Sequence, residues 1–356
     1  MTDWLEGPEA IGAVDAILAG VGLEHGRRST RRGSWKDGER VKQPKGPLAA
    51  QSSQAVRRAA GVMRVAEWAH WSWLLAGFST RQGGGSTAYG HAEQNLGWTS
   101  EDEAEIVARN RARFVRAVAG KKKVELVTIR QLHSGMIRTI DVEHTALAMA
   151  DGKAVLRGDG LMTDVTGLLL GVQTADCVPV LLADTRTRAV AAFHAGWRGT
   201  LARIVERGVG TMQLRYGSRP KDLVAAIGPA IGACCFAVGE EVRFDFESQF
   251  AYAPELFSEV YDSDPVREKY PLLFMTARAP GHSNLGPQIH LDLVEANRRQ
   301  LLDAGLAAKS ISVVSECTAC TRLRSGTRKY FSHRAEHGYT GRMLSVVGVQ
   351  EVGSRK

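Results

Sequence analysis

A chain of 356 residues that is 44% hydrophobic can bury a sizeable core, which excludes a small disulfide-stapled scaffold and a wholly disordered protein. The formal charge of +8 gathers in residues 24–58, where ten Lys/Arg face only Glu24, Asp37 and Glu39, so the basic balance belongs to one segment and not to a folded nucleic-acid-binding face. No apolar run reaches the roughly eighteen residues of a membrane span, and five cysteines, an odd number in so long a chain, point to a reducing, cytoplasmic setting.

Residues 1–67 read as a basic extension. Within them, residues 24–58 are rich in Gly, Ser, Gln and Pro and lack an apolar period, a composition that cannot offset the entropy of ordering and reads as disordered, with a nucleic-acid tail as the alternative reading. Asp3, Glu6 and Glu9 argue against a transit or signal peptide, and Met63 is a candidate start. From residue 68 to 352 apolar runs alternate with glycine-marked turns, as expected of one catalytic domain.

In chain order, a helix is predicted over Glu101–Val118, where Ser100 and Glu103 form a capping box. Strands follow at Val124–Arg130, Leu168–Thr174, Val178–Leu182 and Ala189–Phe193, the last two joined by a tight turn at Asp184-Thr185-Arg186-Thr187. A helix over Leu201–Leu214, a strand at Val224–Ile227, a helix over Leu291–Leu302 before Gly305, and strands at Ser310–Ser315 and Leu344–Val349 complete the reading. Interspersed strands and helices give a mixed class, α/β or α+β.

Chemistry collects at three strand ends. One strand runs into His133, one into Asp176-Cys177 and one into His194. Two imidazoles and a thiolate suit zinc, and three protein ligands leave the fourth position that catalysis needs. Taken singly, Cys177 also fits a core position and each histidine a hydrogen-bonded one, and no short zinc-ligand pair is present.

Several segments occur in a fixed order: Gly77-Phe78-Ser79-Thr80-Arg81-Gln82-Gly83-Gly84, Gln94-Asn95-Leu96-Gly97, Asn110-Arg111, Gln131-Leu132-His133, Thr174-Ala175-Asp176-Cys177-Val178-Pro179-Val180, His194-Ala195-Gly196-Trp197-Arg198-Gly199-Thr200 and Ala226-Ile227-Gly228-Pro229. Cys234-Cys235, Val238-Gly239-Glu240-Glu241, Cys317-Thr318 and Thr340-Gly341-Arg342-Met343 follow. From about Trp73 to Val349 the chain resembles the purine nucleoside phosphorylase family long labelled multicopper polyphenol oxidoreductase or laccase. The resemblance implies an α+β fold with four layers, α/β/β/α, and mixed sheets. It implies Zn2+ bound by His133, Cys177 and His194, with purine nucleoside and phosphate as substrates: phosphorolysis of adenosine, inosine and methylthioadenosine, and deamination of adenosine. Ser134 stands where the family usually has glycine, His333 where an aromatic is usual, and residues 1–67 have no counterpart.

Beside that resemblance, the Gly196–Thr200 segment leads into a helix whose free N–H groups favour an anion, which makes Arg198 and Thr200 phosphate candidates. Arg81 and Arg111 are further candidates, each with a salt-bridging or surface reading beside it. Asp176 is either a proton carrier or a turn residue bonded to backbone. Ser134 adds bulk at the site, and His333 is either a core substitution or a polar group at the pocket. Cys317-Thr318-Ala319-Cys320 and Cys234-Cys235 are read as structural or substrate-lining thiols, since adjacent cysteines chelate one ion awkwardly and a lone C-x-x-C is weak evidence. Multicopper chemistry is rejected, because ten histidines without a His-x-His pair cannot gather several coppers. The rival readings are a hydrolase with Cys177 as nucleophile, a peptidoglycan-precursor editing protein and a non-catalytic nucleotide-binding protein.

Overall fold

Seven-residue strands buried along their whole length, such as Val178–Asp184 and Met343–Val349, must meet an apolar layer on both faces. The computed structural model, which describes residues 61–142, 149–150, 152–260 and 288–351, supplies those layers. Sheet one has the order β1-β2-β17-β9-β4, formed by Val62–Met63, Leu74–Ser79, Met343–Val349, Leu168–Thr174 and Glu125–Thr128. Its neighbours are antiparallel except for the parallel pair β4 and β9. Sheet two has the order β16-β12-β10-β11-β8-β5, formed by Ile311–Val313, Leu223–Ile227, Val178–Asp184, Val190–Ala195, Gly160–Thr163 and Ile137–Thr139. Here the two outermost pairs are parallel and the inner ones antiparallel.

Side-chain alternation fixes the layering. Leu74, Ala76, Phe78, Leu170, Val172 and Val347 of sheet one meet Leu181, Ala183, Val190, Ala192 and Ala226 of sheet two in one core. The opposite face of sheet one, with Leu75, Leu169, Leu344 and Val346, packs on Phe114 and Val118 of α1 (Ala104–Ala119). The opposite face of sheet two, with Val178, Val180, Leu182 and Phe193, packs on α3 (Ile204–Tyr216), α4 (Glu240–Gln249) and α5 (Leu293–Asp303). The architecture is therefore α+β with α/β/β/α layering and mixed sheets, as the sequence reading expects. Smaller strands complete it: β3 (Gln82–Ser86), the pair β6 (Met149–Ala150) and β7 (Lys153–Ala154), and a three-stranded sheet of β13 (Ala237–Val238), β15 (Gln288–Leu291) and β14 (Phe257–Val260). Among the described residues no helix is long and apolar enough to cross a membrane.

Three expectations change. The core begins before residue 68: Val62 and Met63 pair with Ser79 and Phe78 and are 2% and 4% exposed, while residues 1–60 lie outside the described residues. No capping box forms at α1, because the Ser100 hydroxyl donates to Glu101 and Asp102 accepts the Glu103 N–H instead. The helix expected over Leu201–Leu214 is two, α2 (Trp197–Leu201) and α3, separated by Arg203 in the left-handed region at φ 55°.

Candidate metal centre and active site

The chain crosses from sheet one to sheet two between Thr174 and Val178, and the site lies at that crossing. His133 follows β4 in sheet one, Cys177 sits on the crossing, and His194 lies within β11 of sheet two, its backbone opposite Pro179. Their ligand atoms all lie within 4.8 Å of one another, and the two imidazole rings are edge-on with centroids 4.8 Å apart. His133 and Asp176 both hold positive φ, 58° and 101°, conformations that L side chains adopt at a cost and that cluster where function demands them.

Asp159 organises the site and is absent from the sequence reading. Its fully buried carboxylate accepts from the backbone N–H groups of Leu132, His133 and Ser134, from the Ser134 hydroxyl at 2.7 Å, and from His194 Nδ1 at 2.9 Å. That contact turns the other ring nitrogen, Nε2, toward the other donors, the support that metal-bound histidines usually have. The available signal was the bracketing of Asp159 by Gly158 and Gly160. A Cβ on Gly158 would lie 2.9 Å from the Met136 carbonyl oxygen, and one on Gly160 would lie 2.8 Å from the Phe193 ring. Ser134, expected to add bulk at the site, spends its hydroxyl on Asp159.

The electrostatics favour the ligand form of the cysteine. Burial pushes the Cys177 thiol up, but His194 and His133 outweigh it and hold the thiol at about 6. Burial likewise opposes protonation of His194, yet the Cys177 thiolate and Asp159 raise it to about 9. Burial works against Asp159 too, and the His194 and Ser134 hydrogen bonds still lower it to about 2. Both directions favour a thiolate beside an imidazolium in the metal-free cluster, so metal uptake competes with the His194 proton. The donor set fits a soft or borderline ion. Gly196 leaves the space, since a Cβ there would lie 3.0 Å from Cys177 Sγ and 3.2 Å from His133 Cδ2.

The three donors line a cavity of about 750 Å³ whose rim carries Arg130, Lys153, Arg198, Arg334 and Arg342. Three of these cations rest over cavity aromatics: Arg198 over Trp197 at 4.3 Å, Arg334 over Phe236 at 5.4 Å and Lys153 over Trp98 at 5.8 Å. Of the expected anion ligands only Arg198 lies here. Arg81 is buried elsewhere, paired with Glu93 at 3.0 Å and with Glu336, and it donates to the Tyr89 carbonyl. Arg111 reaches the Leu96 carbonyl and Thr128 hydroxyl under Trp98, and burial lowers its guanidinium to about 10. Thr200 accepts from Asn297 and Gln300, tying α2 to α5, and α2 is only five residues long.

Asp176 lines the cavity, but both its oxygens are engaged, one by the Thr318 hydroxyl and one by the Arg334 N–H, each at 2.7 Å. His333 stands exposed at the cavity, which answers the core-or-pocket question in favour of the pocket. The other four cysteines, read as structural or substrate-lining thiols, converge in a group of their own with all sulfurs within 4.8 Å.

The chain is similar to known proteins in sequence and fold. A family profile described as multi-copper polyphenol oxidoreductase laccase matches residues 75–350. The chain is 34% identical over 278 residues to the purine nucleoside phosphorylase YlmD of Geobacillus stearothermophilus, across 78% of this chain and 90% of that protein. It is 36% identical over 218 residues to adenosine deaminase RL5 from an unknown prokaryotic organism, across 61% of this chain and 74% of that one. Among solved structures it is similar to the Bacillus licheniformis hypothetical protein YfiH, with a TM-score of 0.67 and 30% identity over 82% of this chain and 97% of that chain.

Proposed function

The chain belongs to the multi-copper polyphenol oxidoreductase laccase family, and from that premise we propose that it is a zinc-dependent purine nucleoside phosphorylase in a reducing, cytoplasmic setting. The observation that carries this reading is the convergence of His133, Cys177 and His194 in a cavity with a cationic, aromatic rim. The multi-copper description does not fit the donor set. The described residues gather His/Cys donors in one group with two imidazoles and another with none, whereas multicopper chemistry needs many imidazoles together. Two nitrogens and one thiolate suit zinc, and the relatives named purine nucleoside phosphorylase and adenosine deaminase support a purine nucleoside such as adenosine as substrate, with inosine and methylthioadenosine expected from the sequence resemblance.

A zinc ion bound there supplies Lewis-acid polarisation or the activation of water. The chain's own groups do the rest. Arg198 and the neighbouring rim cations draw in phosphate and hold it against the ribose. Trp98, Trp197 and Phe236 offer apolar faces to the base, and the cavity keeps the base–ribose bond close to the bound anion. A hydrogen phosphate oxygen bonds to the anomeric carbon as the bond to the purine nitrogen breaks; the bond electrons leave on the purine, which takes up the proton given up by hydrogen phosphate, giving free base and ribose 1-phosphate. Asp159 holds the His194 ring in register and keeps Nδ1 protonated. Asp176, braced by Thr318 and Arg334, positions Cys177 in this conformation. Deamination of adenosine is a second activity of the same cavity, favoured by the similarity to adenosine deaminase RL5.

The test is chromatography of products from adenosine with and without phosphate. Phosphate-dependent adenine release is expected, Cys177→Ala should abolish it, and Arg198→Ala should raise KM for phosphate more than KM for adenosine. Inosine alone would leave deamination as the activity, and no product from zinc-loaded protein would refute the assignment. Loss of activity on thiol alkylation combined with indifference to chelators would instead support a cysteine-nucleophile hydrolase.

A further inference from the structure

Two loops far apart in sequence meet beside the cavity. Residues 228–236 follow β12 and residues 317–320 follow β16; the parallel bridge between Ala230 and Cys317 joins them, and the Thr318 N–H donates to the Ala230 carbonyl at 2.9 Å. A tight turn, in which Cys235 and Phe236 both donate to the Gly232 carbonyl, brings Cys234 and Cys235 round toward Cys317 and Cys320. All four sulfurs then lie within 4.8 Å of one another, with Cys234 Sγ 3.7 Å from Cys320 Sγ.

That spacing decides between the fates open to such a cluster. A disulfide needs sulfurs about 2.05 Å apart. One tetrahedral ion with metal–sulfur bonds of about 2.3 Å sets its sulfurs about 3.8 Å apart, close to the separation observed. At Cys317 the surroundings suit anionic sulfur as well: the Gly232 N–H donates to its Sγ at 3.3 Å, and Arg328 donates to the nearby Ala319 carbonyl. Gly232 keeps the space clear, since a Cβ there would lie 3.3 Å from both Cys234 Sγ and Cys317 Cβ.

We propose that Cys234, Cys235, Cys317 and Cys320 form a second zinc site, a tetrathiolate that fastens the two loops flanking the cavity. The four thiols release their protons to solvent on binding, and four thiolates with one divalent ion leave a net charge of −2. With no sulfur spare and no open position, the site is structural. What it holds in place is the cavity wall: Ile231 and Phe236 line the cavity, and Thr318, between Cys317 and Cys320, braces Asp176 next to Cys177.

Metal analysis of the full-length protein tests this directly. Two zinc ions per chain are expected in the wild type and one in the Cys234→Ser/Cys320→Ser double variant. The Cys177→Ser variant leaves the four-cysteine cluster intact, so the test survives if the double variant fails to fold. It should retain one zinc whose X-ray absorption shows a sulfur-only shell at about 2.3 Å. Its cobalt-substituted form should show thiolate charge-transfer absorption of four-thiolate intensity. Cys177→Ser protein that binds no zinc, zinc with a mixed nitrogen shell only, iron in the cluster, or a Cys234–Cys320 disulfide in protein purified without oxidant would each overturn the proposal.

Discussion

At Asp159 one carboxylate serves five donors, so small changes there separate charge from shape. Asp159→Asn keeps the volume but turns an amide N–H₂ toward N–H groups that need an acceptor, and it loosens the His194 ring. Loss of such a support typically costs 10–100-fold in metal affinity, and chelator competition should read a fall of about that size. The pH dependence has a definite sign. The folded Asp159 sits at about 2 against an ordinary 3.8, so its contribution to stability is complete above the ordinary value and is lost as pH falls toward 2. In metal-free protein, the gap in urea midpoint between wild type and Asp159→Asn should be widest near neutrality and close in acid. A gap that does not change with pH would show that the charge is not what matters.

Among the elements, α3 offers a test of opposite signs within one helix. A Cβ on Gly208 would lie 2.3 Å from Phe193 Cζ on the sheet beneath, while nothing lies within 4 Å of one on Gly210. Gly208→Ala should destabilise by ~1–3 kcal/mol through overpacking, and Gly210→Ala should stabilise by up to ~1 kcal/mol through helix propensity; urea midpoints decide both. The same contrast explains what the sequence reveals. Strand β9 is readable to the residue because an apolar run follows a turn glycine, and α5 nearly so, beginning two residues later than expected because Asp292 caps it by accepting the Glu295 N–H at 2.9 Å. The α2–α3 break is illegible, since an arginine in the left-handed region leaves no trace in the apolar period. His133, Cys177 and His194 are legible from strand ends and motif. Asp159 and the four-sulfur cluster are not, because their partners arrive from other strands and loops only after the sheets have assembled. Arg81 and Arg111 mislead for a related reason: a buried arginine answering carboxylates and carbonyls looks, in sequence, like one awaiting phosphate.

Across the whole molecule, the early start of the core bears on where the chain can be cut. The Gly61 carbonyl accepts the Thr80 N–H at 2.9 Å and Gln94 Nε2 at 3.0 Å, and Val62, Met63 and Val65 are buried. A chain beginning at Gly61 is expected to match the full-length protein in activity and melting temperature. One beginning at Trp68 forfeits ~1.5–3 kcal/mol for each large buried side chain removed and should melt lower; equal melting of the two would show that β1 contributes nothing. The candidate metal centre lies on the crossing between the two sheets. Its three candidate donors span residues 133 to 194 and belong to both halves of the sandwich, so no local stretch of chain can assemble them. An ion held by them would not nucleate folding. It would bind once the long-range pairings are made and is expected to slow unfolding and leave the folding rate unchanged, as a latch and not as a seed.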